Sequence, residues 1–153
     1  VPVFNNRTRE AGMETYFTAA MVDEIERGGL AHVEKRDEAQ IVIEGRIENI
    51  RYKTGTKVDD EDPGYETLPN GVVLAKEYRI IVNVVVDLRR QSDQKIIWSG
   101  GFSGERGYAA PQITEEISNT ANALYNQSAR RNVIKNLARD LMAEAYDRIT
   151  ENF

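Results

Sequence analysis

The chain has 153 residues, a formal net charge of −5 and a pI near 5.0. This length predicts one domain with its own core, and the acidic balance argues against a nucleic-acid-binding protein, which needs a basic surface. Cysteine is absent, so zinc, iron–sulfur and thiol sites lack their usual ligands. No apolar run approaches the ~20 residues of a membrane-spanning helix.

The chain opens on a strand-like stretch, Val1 to Phe4, in which Pro2 favours a strand start or a sheet edge. Since a domain seldom begins inside a strand, we expect the natural protein to extend upstream, with any signal peptide already removed. A helix is predicted after the Asn5–Thr8 turn, ending at Gly28-Gly29, where glycine supplies a left-handed residue. Its apolar stripe, expected to face the core, consists of Met13, Tyr16, Phe17, Ala20, Met21 and Ile25.

Two strands are predicted after this helix, a short one over Leu30–Val33 and a long one over Ile41–Tyr52. In the long strand the alternation of apolar residues changes phase, which indicates a bulge near Glu48-Asn49. Gly45 indicates the close approach of another part of the chain, such as a crossing helix. The next segment, Lys53 to Ala75, is rich in Gly, Pro, Asp and Glu. It is predicted to be a long loop, of the kind that is usually functional or disordered.

The stretch from Tyr78 to Leu88 predicts the inner antiparallel strand around which the sheet is organised. Its even-numbered positions form one wholly apolar face: Tyr78, Ile80, Val82, Val84, Val86 and Leu88. The odd-numbered face mixes Ile81 and Val85 with polar residues, which is typical of a wetter sheet face. Ile81 and Val85 are therefore candidate contacts for a partner, although scattered surface aliphatic residues are also normal.

A tight turn over Gln91–Gln94 and a partner strand from Lys95 to about Glu105 complete the sheet. One face of that strand is predicted to carry Ile96, Trp98 and Phe102, with Trp98 in the core.

A second helix is predicted to begin at Pro111, with a break or overhang between Ser118 and Ser128. One unbroken helix would be ~60 Å long, whereas the central strand spans only ~35–40 Å. The apolar stripe of this helix consists of Ile134, Leu137, Ala138, Leu141, Met142, Ala145 and Ile149.

The predicted fold is α+β, in the order β-α-β-β-β-β-α. Strands that follow one another at short spacing pair antiparallel, while the strand–helix–strand start favours a parallel crossover. The result is a mixed, mainly antiparallel sheet of four to five strands, with two α-helices on one face. Residues 1–153 show no internal repeat and no linker, so they are predicted to form one domain.

No pattern in the sequence supports an enzyme or a bound cofactor. The single histidine, His32, lies in a predicted short strand, where a structural role is favoured, and no catalytic triad, phosphate loop or metal-ligand spacing occurs. The acidic run Asp59–Asp62, aligned as a calcium loop on Gly64, places Pro63 and Asn70 where that loop needs ligands. A solvated acidic loop is therefore predicted, and a binding module remains as the class of protein.

Three segments together resemble the LptE family, the lipopolysaccharide-assembly lipoproteins of Gram-negative outer membranes. The first is Val1–Thr8 with the helix that follows it, the second is Glu38–Gly45, and the third runs from Glu77 to Trp98. The order along most of the chain is more specific than any single motif. The sequence departs from the family pattern at Ala11, where proline is commoner, and it lacks the lipid-bearing cysteine, which agrees with an upstream truncation.

The resemblance implies a non-enzymatic protein without cofactors or nucleic-acid partners. Members of the family are lipid-anchored on the periplasmic side of the outer membrane. They sit as a plug inside the β-barrel LptD, help that barrel to assemble and assist lipopolysaccharide transport. The alternative is an accessory domain of another periplasmic envelope complex that does not bind lipid. A hydrolase would need a nucleophile–base pair, which the sequence does not offer.

Lipopolysaccharide carries phosphates, so a docking site requires Lys or Arg. The candidates near the long loop are Arg51, Lys53, Lys57 and Lys76, and the candidate barrel contacts are Ile81 and Val85. From Lys53 to Lys76 the chain holds three lysines and five acidic residues. Because an acidic loop repels phosphates, we expect the strand-end pair Arg51 and Lys53 to matter more than Lys57.

Overall fold

The computed structural model of the protein describes residues 1–55, 77–109 and 123–151. The long loop predicted between Lys53 and Ala75, together with Lys57, Lys76 and the acidic run Asp59–Asp62, falls almost wholly outside these residues, and so does Pro111. The secondary structure elements are β1 (Asn5–Asn6), α1 (Met13–Gly28), β2 (Ile41–Thr54), β3 (Glu77–Arg90), β4 (Ile96–Ala109) and α2 (Ala123–Thr150).

The four strands form one mixed sheet in the order β1-β2-β3-β4. β1 pairs parallel to β2, while β2 with β3 and β3 with β4 pair antiparallel. The predicted α+β fold and the central place of the Tyr78–Leu88 strand are therefore confirmed.

Both helices pack on the apolar face of the sheet, as predicted. The even-numbered residues of β3 from Ile80 to Leu88 belong to a single core cluster that also contains the apolar stripes of α1 and α2. The stripe predicted for α2 is buried throughout. The helix α1 ends at Gly28 and is capped by Gly29, whose φ of 68° is left-handed as expected. The described part of α2 is helical from Ala123 onwards, so no break occurs between Ala123 and Ser128, and the rest of the segment in which a break was predicted lies outside the described residues.

The predicted strand over Val1–Phe4 is wrong. The parallel strand is instead the pair Asn5–Asn6, which the sequence marks as turn chemistry. Phe4 is not part of a strand, because its backbone N–H donates to Thr18 Oγ1 at 2.9 Å instead of to a neighbouring strand. The residue is buried, with 2% of its surface exposed.

The predicted strand over Leu30–Val33 is also wrong. These residues have no regular structure, and Leu30 is 76% exposed. The sheet of the described chain offers these four residues no strand with which to pair. A short extended segment without a neighbouring strand has no partner for its backbone hydrogen bonds. The sheet therefore has four strands and the order β-α-β-β-β-α.

The irregularities predicted in β2 are present. The register with β3 shifts between Ile47 and Asn49, so Glu48 is the extra residue and the phase of the side chains reverses there. Gly45 is closely approached, but by the ring of Phe4 rather than by a helix: a Cβ at this position would overlap that ring.

β4 differs from its prediction at its first residues. The register with β3 shifts between Leu88 and Arg89, so Arg89 faces Ile96 across the ladder, and Ile96 is 45% exposed. The single tryptophan is only partly buried against the core. Its ring lies over Gly100, and its centroid is 6.3 Å from that of Phe102.

Candidate functional site

The sheet face opposite the helices is a polar surface built on a buried carboxylate. Asp87, near the C-terminal end of β3, is only 2% exposed. Arg46 Nη1 donates to its Oδ2 at 2.6 Å, and Ser99 Oγ donates to its Oδ1 at 2.5 Å. One residue each from β2, β3 and β4 thus closes a cross-strand network, which satisfies a charge that would otherwise be costly to bury.

Further polar pairs continue this network along the same face. Arg89 Nη2 lies 3.0 Å from Glu44 Oε2, and the side-chain amide of Asn83 donates to that of Asn49 at 2.8 Å. We call this surface, which comprises the odd-numbered residues of β3 and their cross-strand partners, the open face. No helix or strand of the described chain packs on it, since both helices lie on the opposite face.

The two predicted barrel contacts lie on the open face, but they differ in exposure. Ile81 is buried, with 7% of its surface exposed, although it does not belong to the core cluster under the helices. Its cross-strand partners are Arg51 and Glu105, whose long side chains can cover an apolar neighbour. Val85 is half-buried and lies between Arg46 and Gly101.

Two of the four predicted lipopolysaccharide ligands, Arg51 and Lys53, lie at the end of β2 and are exposed. Both point to the open face, because the bulge at Glu48 reverses the phase of β2. Lys53 faces Arg79 across the ladder, a cation that the sequence analysis did not single out. We call Arg51, Lys53 and Arg79 the cationic corner; like charges directly opposite each other destabilise a sheet.

Arg79 has two acidic neighbours, Glu105 with a 3.2 Å ion pair and Glu77 with one of 3.5 Å. In contrast, Arg51 and Lys53 form no ion pair with any residue of the described chain. The corner therefore presents at least two cations that are available to an anionic ligand.

On the helix side of the same sheet end lies a cluster of tyrosines. Tyr52 Oη donates to Glu10 Oε2 at 2.6 Å, and Arg130 on α2 lies 3.4 Å from the other oxygen of Glu10. Burial and the hydrogen bond to Glu10 raise the pKa of Tyr52, so the phenol stays neutral and keeps donating. The Tyr78 and Tyr108 rings stack beside it, with centroids 5.7 Å apart.

A shallow cavity of about 330 Å³ borders this cluster between the first residues and β2. Most of the residues that line it are polar: Arg7, Thr8, Arg9, Glu10, Glu48, Asn49, Ile50 and Tyr52. Arg7 Nη1 contacts both carboxylate oxygens of Glu48, at 3.1 and 2.9 Å, so this cation of the cavity is already paired. The tyrosine cluster and the cavity were missed at the sequence level because neither has a local motif.

The described residues hold no group of three or more His, Asp or Glu side chains arranged to bind a metal ion. His32 is exposed, in the irregular stretch before β2. Neither α1 nor the described part of α2 combines the length and apolar character needed to cross a membrane.

Solved structures with the same fold are dissimilar in sequence. A PelC dodecamer from Paraburkholderia phytofirmans is 18% identical, with a TM-score of 0.52 over 93% of this chain and 80% of that one. A chain described as a lipoprotein from Caulobacter crescentus CB15 is 7% identical, with a TM-score of 0.53 over 94% and 85%. A minor lipoprotein from Acinetobacter baumannii is 11% identical, with a TM-score of 0.50 over 97% and 92%. At these identities, the likeness concerns the fold alone.

No curated protein sequence matches the chain significantly. The family model LptE, described as lipopolysaccharide-assembly, matches residues 1–149. This family consists of non-enzymatic lipoproteins associated with the outer membrane. The match extends from the first residue through almost all of α2, and the chain therefore belongs to the LptE family of lipopolysaccharide-assembly proteins.

Proposed function

We propose that the protein plugs the outer-membrane β-barrel LptD, supports assembly of that barrel and assists the transport of lipopolysaccharide through it. In this role a lipid anchor holds it on the periplasmic side of the outer membrane, within the barrel. The observation that carries the proposal is the family match over residues 1–149.

The open face supports a role as a docking surface for the barrel. Around Asp87 its charges are already matched to one another, as in the Asp87 network and the Glu44–Arg89 pair. A partner that covers this part of the face leaves no unpaired charge buried, which is the usual penalty of a polar interface. Val85 provides a half-buried apolar contact within this polar frame.

The test of the barrel interface is Val85→Glu in affinity-tagged protein recovered from its native envelope. The new carboxylate would be desolvated against the barrel, so we expect about tenfold less co-purified barrel. Val85 suits this test better than Ile81, because a charge at the buried Ile81 would also perturb folding.

Ala19→Glu is the matched control, since Ala19 is exposed on α1 and lies away from the open face. Circular dichroism checks that both variants remain folded. Full recovery of the barrel by Val85→Glu removes this interface. Failure of the unmodified protein to recover any barrel refutes the proposed partner and favours an accessory role in another envelope complex.

The cationic corner supports contact with lipopolysaccharide, whose phosphates pair well with guanidinium and ammonium groups. Arg51 and Lys53 are exposed at the end of β2, and Arg79 adds a third cation beside them. Lys57 and Lys76 are proposed as further ligands, and both lie outside the described residues.

Binding of labelled lipopolysaccharide to Arg51→Glu/Lys53→Glu protein tests this site, and we expect about tenfold weaker binding. The control Lys35→Glu/Arg36→Glu reverses one lysine and one arginine at exposed positions between α1 and β2. Lys57→Glu, closest to the acidic run, is expected to have the smaller effect. If all three variants bind lipopolysaccharide as well as the unmodified protein does, the corner is not the lipopolysaccharide site.

A further inference from the structure

The first half of α2 concentrates positive charge in an acidic chain. From Gln127 to Arg139 the sequence has four basic residues and no acidic one. This segment therefore carries +4, and the rest of a chain with net charge −5 carries −9. Three of the four basic residues are exposed and recur every fourth position: Arg131, Lys135 and Arg139. We call these three residues the basic flank.

The basic flank has no ionic partner within the described chain. The fourth cation of the segment, Arg130, pairs with Glu10. Farther along the helix, Arg148 lies 2.6 Å from Glu144, and Asp140 lies 2.9 Å from Arg106 on β4. Arg130, Asp140, Glu144 and Arg148 of α2 thus form ion pairs, whereas no ion pair within the described chain includes the basic flank.

The fold gains nothing from this arrangement. Residues four apart are neighbours on a helix, so Arg131 repels Lys135, and Lys135 repels Arg139. None of the three contributes to the core cluster. Individual exposed cations need no explanation, but thirteen residues without an acid in this acidic chain fit a surface that meets an anionic partner.

The neighbouring residues distinguish a protein partner from a membrane. A helix that binds a bilayer surface places Trp, Phe or Leu beside its cations. The exposed large apolar residues of the described chain are Val3, Leu30, Val33, Ile41, Tyr52 and Ile96, and none belongs to the part of α2 from Gln127 onwards. The exposed residues Gln127 and Asn132 beside the cations are polar instead, and polar residues of this kind form the hydrogen-bonding rim of a protein interface.

We propose that the basic flank docks on a row of carboxylates on the wall of the barrel. This inference rests on the proposed function and adds the chemistry of the contact. Successive cations of the flank are ~6 Å apart along the helix axis, since each residue rises ~1.5 Å. A partner surface that presents Asp or Glu at a similar spacing is complementary, and the two arginines can bind carboxylates in a bidentate manner.

The experiment compares the unmodified full chain with Arg131→Glu/Lys135→Glu/Arg139→Glu protein, both affinity-tagged and recovered from their native envelope. We expect about tenfold less barrel with the triple variant. The difference should shrink at high ionic strength, because the Debye length falls from ~10 Å at 0.1 M to ~3 Å at 1 M. The matched control, Lys35→Glu/Arg36→Glu/Lys95→Glu, makes three charge reversals at exposed positions off both helices.

Each outcome of this experiment supports or overturns the inference. Equal recovery by the triple variant and the unmodified protein overturns the inference but leaves the barrel partner in place. An equal loss in the triple variant and the control shows a general charge effect and also overturns it. If the unmodified protein recovers no barrel, the proposed function and this inference fail together.

Co-sedimentation with vesicles of phosphatidylglycerol and phosphatidylcholine tests an anionic membrane surface as the alternative partner of the flank. The basic flank is not expected to bind them. Vesicle binding that the triple variant loses, with unchanged recovery of the barrel, would reassign the flank to the membrane surface. Circular dichroism of each variant confirms that a loss of binding is not a loss of helix.

Discussion

Gly45 in β2 faces the helix side of the sheet, and the ring of Phe4 occupies the space that a Cβ there would fill. Phe4 is 2% exposed, and its ring centroid lies 6.5 Å from that of Phe17 on α1. The missing side chain therefore lets the first residues of the chain close one end of the core. A sequence pattern reports that a strand glycine is unusual, but not which group fills the vacated space.

Gly45→Ala should destabilise the protein by about 1–3 kcal/mol, because the new methyl group displaces a buried phenylalanine ring. Urea unfolding measures this loss as a lower midpoint with an unchanged slope. Gly101→Ala is the control: Gly101 is also a strand glycine, yet a Cβ there meets nothing within 4 Å. Similar midpoints for both variants would show that the Phe4 contact contributes little.

Asp87 shows a second limit of sequence reasoning at the scale of one residue. Its position on the mixed face of β3 predicts a solvated side chain, yet it is among the least exposed residues of the protein. The reason is the cross-strand register, which places Arg46 and Ser99 within hydrogen-bonding distance of it. The register depends on the pairing of all the strands in the sheet, so the sequence of β3 alone does not predict it.

At the scale of elements, the long periodic segments could be predicted and the short ones could not. In β3 and in the stripes of both helices, apolar residues repeat over several pleats or turns. Burial of one face requires the same period, so the pattern in the sequence predicts the element. The bulge at Glu48 was also visible, because one extra residue reverses every later side chain of β2. In contrast, four-residue segments such as Leu30–Val33 carry too few repeats to separate a strand from an exposed connection.

The candidate site was only partly accessible from sequence for the same reason. Arg51 and Lys53 are charged residues next to a long loop, and that position alone indicates them. Arg79 is separated from them by more than twenty residues and joins them only through the β2–β3 register. The pairing of Arg130 with Glu10 beside Tyr52 depends on packing of α2 against the start of the chain, which no spacing encodes.

At the scale of the whole molecule, one core cluster joins the described elements. It contains Phe4, residues of β2, β3 and β4, and the stripes of both helices. Gly104 on β4 lies directly under Leu137 and Leu141 of α2, so the sheet and the helix cannot separate without exposing the same apolar surface. A fold of this kind is expected to unfold as one cooperative unit.

Two probes can test this cooperativity, because the single tryptophan and the helices lie in different layers. Trp98 fluorescence reports on β4, and far-ultraviolet circular dichroism reports mainly on α1 and α2. We expect the two urea transitions to coincide.

Leu137→Ala, at a position that is 2% exposed, should lower both midpoints equally, with a loss of about 2–5 kcal/mol from the cavity it leaves. Asn132→Ala, exposed on the same helix, should change stability by less than about 0.5 kcal/mol. Separate midpoints for the unmodified protein, or a Leu137→Ala shift seen by only one probe, would show that the helices and the sheet unfold independently.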